Sequence, residues 1–443
     1  MQNINKINNK LTIISKLSDI KKSGIQMGHN DNSILMDCSE SHTIVIGSTG
    51  SGKTQSIVLP QVKSAMVAGE SFVLMDTNGE LYGMLGSELD KKGYKTYIIN
   101  YDNPNEGNNW NPLLFAYDLY KDNKQDEAVK IVENIARIIF KGTQEERDPF
   151  WSNAAANFFT GLTLYLFDNA KKEEINFNSI YNLSVELEEL EDGVPYATKL
   201  MQKINPTSPA AVNLSNTLLA PTETRGGILA VFKQKLRYIV SRQNLSSMLA
   251  TSDFSVKDVI GEKVALFIVG ETIDHTSFLA SILLEEIFEA VMVNGKLAKR
   301  LNIILDNFAE IKPIHNFHNI LSRSRSLNIR YTLIIDSITS LKLTYGHNEA
   351  ILIANNIANI VYLLSSDEET VNYISHLTSG ELSPKDVKTL NIFEAIIFMV
   401  REEPFKTVLL PDFKIPWEFS DKPKELPTRK TPEIKIYNLK ESK

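Results

Sequence analysis

The chain has 443 residues, 43% hydrophobic and 23% charged, which is the composition of an ordinary globular protein and excludes disordered and collagen-like classes. The single cysteine, Cys38, excludes an intrachain disulfide and a cysteine-rich metal site, and it fits a reducing compartment. The net charge of −7 excludes a surface that is basic all over, so any contact with nucleic acid has to be local, in a groove or a pore.

Residues 1–40 are polar and rich in asparagine, and we interpret them as an N-terminal extension that forms a hairpin or an edge strand. After them, short β-branched and apolar runs alternate with stretches of helical periodicity. The predicted strands are Thr43–Ile46, Ser71–Met75 and Lys95–Ile99, and the predicted helices are Gln55–Ala68 and Leu81–Lys91. This order predicts a parallel sheet with helices on its faces.

Residues 116–254 have helical spacing and almost no strand-like runs, so they are predicted to form an all-α domain inserted into the α/β domain. Prolines at positions 206 and 221 break the helical pattern. The predicted helices are Ala128–Phe140, Trp151–Phe167, Val194–Lys203 and Gly226–Val240. We expect Phe150, Trp151, Phe158 and Phe159 to lie in the core of this domain, because they share helical spacing.

Strand-like runs return after the insertion, so residues 41–115 and 255–415 are predicted to form one discontinuous α/β domain. The predicted strands are Val264–Val269, Asn302–Leu305, Arg330–Ile335, Ile360–Leu364 and Ala395–Val400, with a helix at Ser277–Val293. Residues 416–443 are rich in proline and charge, which predicts an extended or disordered polar tail. No run approaches the ~20 apolar residues of a membrane-spanning helix.

One loop carries a specific chemical signature: Gly47, Ser48, Thr49, Gly50, Ser51, Gly52, Lys53 and Thr54 match G-x-x-x-x-G-K-[ST] completely. It follows a predicted strand and precedes a predicted helix, as this motif requires. Glycines allow backbone N–H groups to curl around a phosphate, and the helix N-terminus favours an anion there. Lys53 is expected to reach the β- and γ-phosphates and Thr54 to bind Mg²⁺, so ATP and Mg²⁺ are the predicted cofactors.

A phosphate-binding loop of this kind needs an acid at the end of another buried strand to hold the magnesium. Asp306 follows the apolar run Leu301–Leu305 and is the favoured candidate. Asp76 follows the run Phe72–Met75; it is the competitor and is expected near the mouth of the site. For both residues the alternative is an aspartate that only caps the next turn.

Taken together, these residues resemble the coupling proteins of type IV secretion, the conjugative DNA-transfer ATPases of the TraG/TraD type within the FtsK/HerA group. The matching segments run in family order over most of residues 40–415. They are His42–Thr54, Asp76–Tyr82, Asn109–Leu113, Asp148–Trp151, Leu305–Ile311 and Ser322–Gly346. The resemblance implies a RecA-like P-loop fold with a mostly parallel sheet, an inserted helical domain and a homohexameric ring. It also implies that DNA, alone or with a relaxase, passes to membrane proteins of a secretion channel.

The sequence departs from this family at three positions. Asn307 stands where a glutamate is expected to polarise the attacking water, and an amide cannot take up that proton. Asp336 replaces a glutamine, and its carboxylate would repel phosphate unless it is protonated or bound to metal. Asn78 replaces a lysine. We therefore expect nucleotide binding with weak or relocated hydrolysis, with Glu310 as a substitute base.

Arginines near Asp306 are the candidates for stabilising phosphoryl charge. The resemblance implies that an arginine in the segment of Arg323 and Arg325 faces the nucleotide of a neighbouring subunit, and Arg325 is favoured. The alternative is a solvated basic helix face. Basic clusters at 233–237, 296–300 and 323–330 are candidates for sequence-independent contacts with DNA, each with the same alternative.

Three functions remain open on the sequence. The first is an ATPase that couples DNA to a secretion channel, cytoplasmic and held at the inner face of the membrane through partners. The second is a nucleotide-binding adaptor that does not hydrolyse ATP, and the third is a HerA-like DNA-processing ATPase. Whether the chain is an active enzyme depends on the replaced catalytic acid.

Overall fold

The computed structural model describes residues 11–30, 33–140, 148–270, 277–419 and 422–441. Of these, the residues within 1–98, 257–273 and 290–426 form one compact unit. Those within 99–256, 274–289 and 427–443 form a second compact unit. The predicted inserted domain, 116–254, therefore lies inside the second unit, which also takes in chain on both sides of it. Among the described helices, none is long and apolar enough to cross a membrane.

The first unit is built on a mostly parallel sheet, as predicted. Within the described residues the sheet has nine strands, which are β4 Thr43–Gly47, β5 Ser71–Asp76, β6 Lys95–Asn100, β9 Val264–Val269, β10 Leu301–Leu305, β11 Ile329–Ile335, β12 Asn359–Leu364, β13 Glu394–Met399 and β14 Phe405–Val408. Their spatial order is β14-β13-β12-β4-β11-β10-β5-β9-β6. The strands from β12 to β9 pair in parallel, whereas β13 and β14 pair antiparallel.

The predicted strands are confirmed to within one residue at each end. Most are short buried apolar runs, whereas β6 begins with the exposed Lys95 and is buried only from Ile98 to Asn100. Helices cover the sheet between them. They are α1 Leu59–Ala68, α2 Glu80–Lys91, α11 Val256–Val259, α13 Phe317–Ser324, α14 Ile338–Tyr345, α15 His347–Asn355, α16 Glu368–Leu377 and α17 Pro384–Lys388. Helix α12, Phe278–Asn294, has residues 278–289 in the second unit. The core between α1 and the sheet joins Val62 and Met66 to Phe72, Ile304 and Val361.

The N-terminal extension contains more structure than a single hairpin. Strands β1 Thr12–Ile14, β2 Ile25–Asn30 and β3 Ser33–Asp37 form an antiparallel sheet in the order β1-β3-β2. Arg300 and Arg330 hold this segment on the first unit. Both guanidinium groups donate to the carbonyl oxygen of Ser23, and Arg300 also pairs with Glu70 at 3.1 Å.

Two of the predicted DNA-contact clusters therefore contain structural arginines. Arg300 and Arg330 are 3% and 0% exposed, so neither side chain can reach a DNA phosphate. Burial of a charge is tolerated here because hydrogen-bonding partners surround it. This corrects the prediction for these two residues in the clusters 296–300 and 323–330.

The second unit is mainly helical. Its helices are α3 Leu114–Lys121, α4 Gln125–Phe140, α5 Phe150–Asn169, α6 Phe177–Glu186, α7 Tyr196–Lys203, α8 Pro209–Leu218, α9 Thr222–Val240 and α10 Gln243–Met248, with a two-residue strand pair β7 Leu190–Glu191 and β8 Val194–Pro195. Aromatic rings fill its core: Phe232 stacks on Phe140 with centroids 5.6 Å apart and meets Phe158 edge-on at 5.0 Å.

The aromatic prediction for this unit is half right. Phe158 and Phe159 are fully buried, but Phe150 and Trp151 are 49% and 37% exposed. The latter two occupy the first turn of α5, where Trp151 lies so close to Gly227 that a Cβ there would be 2.5 Å from the indole. Helical spacing places residues on one face, but it does not say how far along the helix the packing extends.

The described residues 427–441 belong to the second unit and form no helix and no long strand. Arg429 is 5% exposed and donates to the side chain of Asn109 at 2.6 Å. Further along, the amide of Asn176 donates to the carbonyl oxygen of Lys435, and the N–H of Tyr437 donates to Ser179 Oγ. The tail is thus extended, and its backbone is used in hydrogen bonds to this unit.

Candidate functional site: a phosphate-binding edge

The candidate site lies at the carboxyl edge of the first unit's sheet. Strands β4, β11 and β10 are neighbours and parallel, so the residues that follow them meet at one edge. These residues are the glycine-rich loop after β4, Asp336 after β11 and Asp306 after β10. The predicted phosphate loop and its favoured acid are therefore brought to the same edge, with Asp336 between them.

The loop has the backbone conformation that only its glycines adopt easily. Gly50 and Gly52 have φ of 81° and 92°, in the region that side chains disfavour. A Cβ on Gly52 would also lie 2.9 Å from the ring of Phe393. The N–H of Ser48 donates to the carbonyl oxygen of Leu364 in β12 at 2.7 Å, which fixes the start of the loop.

The helix that follows the loop begins with a π-helical turn, Thr54–Val58, and continues as α1. Its N-terminal N–H groups favour an anion. Ser51 supports this: its Oγ is buried and has no hydrogen-bond partner among the described residues. A buried hydroxyl without a partner is costly, and a phosphate oxygen would satisfy it. The loop thus fits a phosphate group, and Lys53 and Thr54 stay the predicted side chains for phosphate and Mg²⁺.

Lys53 is held by two acceptors in this structure. Its Nζ donates to Asp336 Oδ1 at 2.6 Å and to the carbonyl oxygen of Gly47. The lysine side chain is 11% exposed and that of Asp336 is 46% exposed. The sequence prediction considered Asp336 only as a group that repels phosphate. The structure adds that this carboxylate holds the lysine that the motif assigns to phosphate.

Asp306 lies where the favoured magnesium ligand is expected. Burial raises the pKa of its carboxyl, Lys53 acts in the opposite direction, and Asp336 and Glu310 raise the pKa further. The charges that act on Asp306 are therefore one cation and two carboxylates. Among the residues described, no group of three or more His, Cys, Asp or Glu side chains could hold a metal alone. Magnesium at this edge would need the nucleotide's phosphates as further ligands, which is how proteins usually bind it.

Asn307 and Glu310 follow Asp306 in a tight turn. Asn307 has φ of 55°, and its N–H donates to Asp306 Oδ1 at 3.1 Å. Asparagine adopts this left-handed conformation more readily than glutamate does, which gives a local physical reason for the amide at this position. Glu310 ends the 3₁₀ turn Phe308–Glu310, is exposed, and is close enough to Asp306 to affect its pKa.

Asp76 has a structural role. It ends β5, and its two carboxylate oxygens accept the backbone N–H groups of Leu81 and Tyr82 at 3.1 and 2.8 Å. Its carboxylate therefore caps the start of α2, which is the alternative that the sequence left open. The favoured magnesium ligand stays Asp306.

Arg325 lies away from this chain's own phosphate loop. It begins the 3₁₀ turn Arg325–Leu327, directly before β11, whereas Asp336 directly follows β11. The seven-residue strand between them spans roughly 20 Å. Arg323 and Arg325 are exposed, and neither forms an ion pair with any residue in the described ranges.

His42 was missed by the sequence reasoning, although it begins the matching segment before the loop. It is fully buried; its Nε2 lies 2.8 Å from the carbonyl oxygen of Leu321, and its Nδ1 accepts the N–H of Tyr331 at 3.0 Å. Burial lowers its pKa to about 4, so the ring is neutral at neutral pH. These two hydrogen bonds connect the start of β4 to the residues on either side of Arg325 in the sequence.

The sequence and the fold agree with known proteins of DNA transfer. A family model described as "Type IV secretory system Conjugative DNA transfer" matches residues 1–390. The Conjugal transfer protein TraG of Rhizobium radiobacter is 21% identical over 341 residues, or 76% of this chain and 52% of that protein. The Probable conjugal transfer protein TraG of Sinorhizobium fredii is 22% identical over 342 residues, with the same coverage. The chain spans about half the length of these curated relatives.

Solved structures show the same fold. The plasmid coupling protein TrwB in complex with the ATP analogue ADPNP superposes with a TM-score of 0.68 at 16% identity, over 94% of this chain and 96% of that one. VirB4 of Thermoanaerobacter pseudethanolicus has a TM-score of 0.56 at 12% identity, over 89% of this chain and 98% of that one. With the family model matching most of its length, the chain belongs to the conjugative DNA transfer family of the type IV secretory system.

Proposed function

We propose that this chain binds ATP with Mg²⁺ at the loop 47–54 and couples DNA, or a relaxase–DNA complex, to a type IV secretion channel. The observation that carries the proposal is the fit of the loop: positive-φ glycines, an unsatisfied buried Ser51 Oγ and Lys53 at a helix N-terminus. Membership of the family supports the coupling role. TrwB supports the cofactors, because solved structures hold it with ADPNP and with ADP and Mg²⁺.

In this proposal the chain's residues bind and orient the nucleotide. Backbone N–H groups of residues 48–53 cradle phosphate oxygens, Lys53 leaves Asp336 for the β- and γ-phosphates, and Thr54 and Asp306 hold Mg²⁺. The magnesium ion supplies neutralisation of phosphate charge. Hydrolysis is weak, because Asn307 cannot accept a proton and Asp336 sets a negative charge beside the phosphates. Glu310 is the substitute base.

The same two residues favour a second candidate, a nucleotide-binding adaptor that does not hydrolyse ATP. The measurement that separates the two is DNA-stimulated ATP hydrolysis by wild type and by Lys53→Ala, beside direct binding of a fluorescent ATP analogue. Turnover that DNA stimulates and that the variant loses identifies a motor. Binding that needs Lys53, with no turnover, identifies the adaptor. Equal binding by both proteins would refute nucleotide binding at this loop.

Partners and location are parts of the same proposal. A homohexameric ring at the inner face of the membrane, held by channel proteins, fits the family but needs its own test. Size measurement with and without nucleotide and DNA tests the ring, and capture of relaxase or channel proteins by the purified chain tests the coupling role. A chain that binds DNA and neither partner would favour a HerA-like processing role.

A further inference from the structure

Three apolar side chains lie beside the phosphate loop, at the same edge of the sheet. Strand β13 runs antiparallel to β12, and β14 runs antiparallel to β13, so the turn before β13 and the chain after β14 both lie at the carboxyl edge. Ile392 and Phe393 belong to that turn, and Phe413 belongs to that chain. The N–H of Leu409 donates to the carbonyl oxygen of Phe393 at 2.8 Å, which joins the two segments. We call Ile392, Phe393 and Phe413 the apolar patch.

The apolar patch is in direct contact with the loop at Gly52. A Cβ on Gly52 would lie 2.9 Å from the ring of Phe393 and 3.8 Å from Ile392 Cγ1, so both side chains are its immediate neighbours. The ring of Phe413 meets that of Phe393 with centroids 6.4 Å apart and planes at 69°. The phosphate loop is therefore bordered by two aromatic rings and one aliphatic side chain.

The apolar patch is exposed and its backbone is strained. Phe413 is 68% exposed and Ile392 is 63% exposed. Phe393 has φ of 67°, a left-handed conformation that is costly for a bulky side chain. Strain of this kind persists where the surrounding structure requires it, and it is concentrated at sites that bind ligands. Exposed apolar side chains next to a strained aromatic residue indicate a surface that a ligand covers.

Phe413 is anchored to the helix that follows the loop. It lies in the 3₁₀ turn Asp412–Lys414. Lys63 of α1 pairs with Asp412 at 2.6 Å, and these two side chains are 16% and 10% exposed. Because α1 continues from the loop through the turn Thr54–Val58, this ion pair fixes the place of Phe413 relative to the loop. A ring that is held in place before the ligand arrives loses little entropy on binding.

The order of the strands places different chemistry on the two sides of the loop. That order is β14-β13-β12-β4-β11-β10, and the loop follows β4. On one side lie Asp306 after β10 and Asp336 after β11, which are carboxylates. On the other side lies the apolar patch, whose rings suit a flat aromatic ligand. A nucleotide joins its base to its phosphates through one ribose, so a nucleotide with its phosphates in the loop has its base beside the loop.

We propose that the apolar patch holds the base of the nucleotide whose phosphates are bound at the loop 47–54, and that the ring of Phe413 stacks on this base. The inference rests on the proposed nucleotide binding and extends it with three residues that the sequence analysis did not single out. Every base has a π face, and stacking uses that face. The patch therefore adds affinity for a nucleotide and adds none for a phosphate chain without a base.

The test compares a non-hydrolysable ATP analogue with inorganic tripolyphosphate, each with Mg²⁺, by titration calorimetry on the full chain. Tripolyphosphate has three phosphates and no base. Phe413→Ala should weaken binding of the analogue by about tenfold and leave binding of tripolyphosphate unchanged. Phe413→Trp keeps an aromatic ring and should retain the wild-type affinity for the analogue. Phe150→Ala, which removes a half-exposed ring from the second unit, is the matched control and should equal wild type with both ligands.

A spectroscopic measurement supports the comparison. The tryptophan emission of Phe413→Trp should fall when the analogue binds, because the indole stacks on the base, and should stay constant when tripolyphosphate binds.

The outcomes separate this inference from nucleotide binding itself. Wild-type affinity of Phe413→Ala for the analogue would overturn the inference and leave the loop as a nucleotide site. An equal loss of affinity for the analogue and for tripolyphosphate would also overturn it, because the ring would then only support the loop. If wild type binds neither ligand, nucleotide binding at the loop fails, and the inference fails with it.

Discussion

The amino edge and the carboxyl edge of the main sheet are the two ends of the same strands, but their polar groups differ in burial and in hydrogen bonding. At the amino edge, the buried Arg300 and Glu70 pair with each other, and Arg300 and Arg330 donate to the carbonyl oxygen of Ser23, which leaves Arg330 Nε as the atom of these side chains without a partner in the described chain. At the carboxyl edge, Ser51 Oγ has no partner in the described chain, and Lys53 is held by the half-exposed Asp336. Satisfied groups stabilise the fold, whereas groups with spare or exchangeable bonds are those that a ligand can use.

The largest expected effect tests the carboxyl edge. Asn307→Glu restores the glutamate that the family resemblance leads us to expect as the residue that polarises water, so the proposal predicts that ATP turnover rises by about 10²–10⁴-fold. Asn307→Gln is the matched control, because it brings the same left-handed backbone cost without a basic oxygen. Steady-state release of phosphate is the readout. Turnover that stays at the wild-type level in both variants would argue against this explanation of weak hydrolysis.

The second test addresses the amino edge. Glu70→Ala leaves Arg300 buried without its carboxylate and is expected to cost about 3–5 kcal/mol of folding free energy. Burial alone would raise the pKa of Glu70, but the charge and hydrogen bonds of Arg300 bring it below its usual value. The comparison is Lys130→Ala, which breaks a pair with Glu289 whose lysine is 55% exposed and should cost less than about 1 kcal/mol. If both variants lose a similar free energy of unfolding in urea, the two ion pairs do not differ in their contribution to stability.

The third test uses pH. Burial lowers the pKa of His42 to about 4 from 6.5, so the unfolded chain binds a proton more tightly than the folded chain does. Stability from this group is complete above pH 6.5 and falls as the pH drops toward 4, by about 3 kcal/mol in all. His42→Gln should have a flatter loss of melting temperature between pH 7 and pH 4.5. A loss as steep as that of wild type would assign the acid sensitivity to other groups.

The smallest expected effect concerns the bond between Lys53 and Asp336 at the proposed nucleotide site. Asp336→Asn removes the carboxylate that holds Lys53 at 2.6 Å, so affinity for an ATP analogue should rise by about tenfold. The gain should be absent in a Lys53→Ala background, where no lysine remains to be released. Titration by fluorescence anisotropy measures both. Weaker binding in Asp336→Asn would show that this carboxylate helps to place the nucleotide.

The sequence predicts the strands and the phosphate loop well, because both are local patterns. A short apolar run followed by Gly47 or Asp306 indicates a buried strand and its carboxyl end without knowledge of the rest. The edge strand β14 was not predicted, since Phe405–Val408 is short and alternates buried with exposed residues. The Lys53–Asp336 bond was not predicted either. It joins residues far apart in the chain whose meeting depends on strand order.

Clusters of basic residues in the sequence are misleading for the same reason, because they do not show which side chains are buried. Arg325 and Arg330 are five residues apart in one basic cluster, yet one is exposed and the other is 0% exposed. The strand β11 begins between them, and Arg330 points into the layer beside Asn302, to which it donates at 2.8 Å. Every residue of β11 is buried, so a basic residue within this strand serves the fold, whereas one before it stays exposed. A count of basic residues does not reveal where the strand begins.

The packing of the C-terminal residues on the second unit has a consequence for synthesis of the protein. Arg429 and Tyr437 are 5% and 3% exposed there, so this unit reaches its final packing only after residues as far as Tyr437 have left the ribosome. The helices between residues 114 and 248 are translated long before that moment. Until then their binding surface for the C-terminal segment stays open, and premature termination would leave it uncovered for proteases and chaperones to recognise.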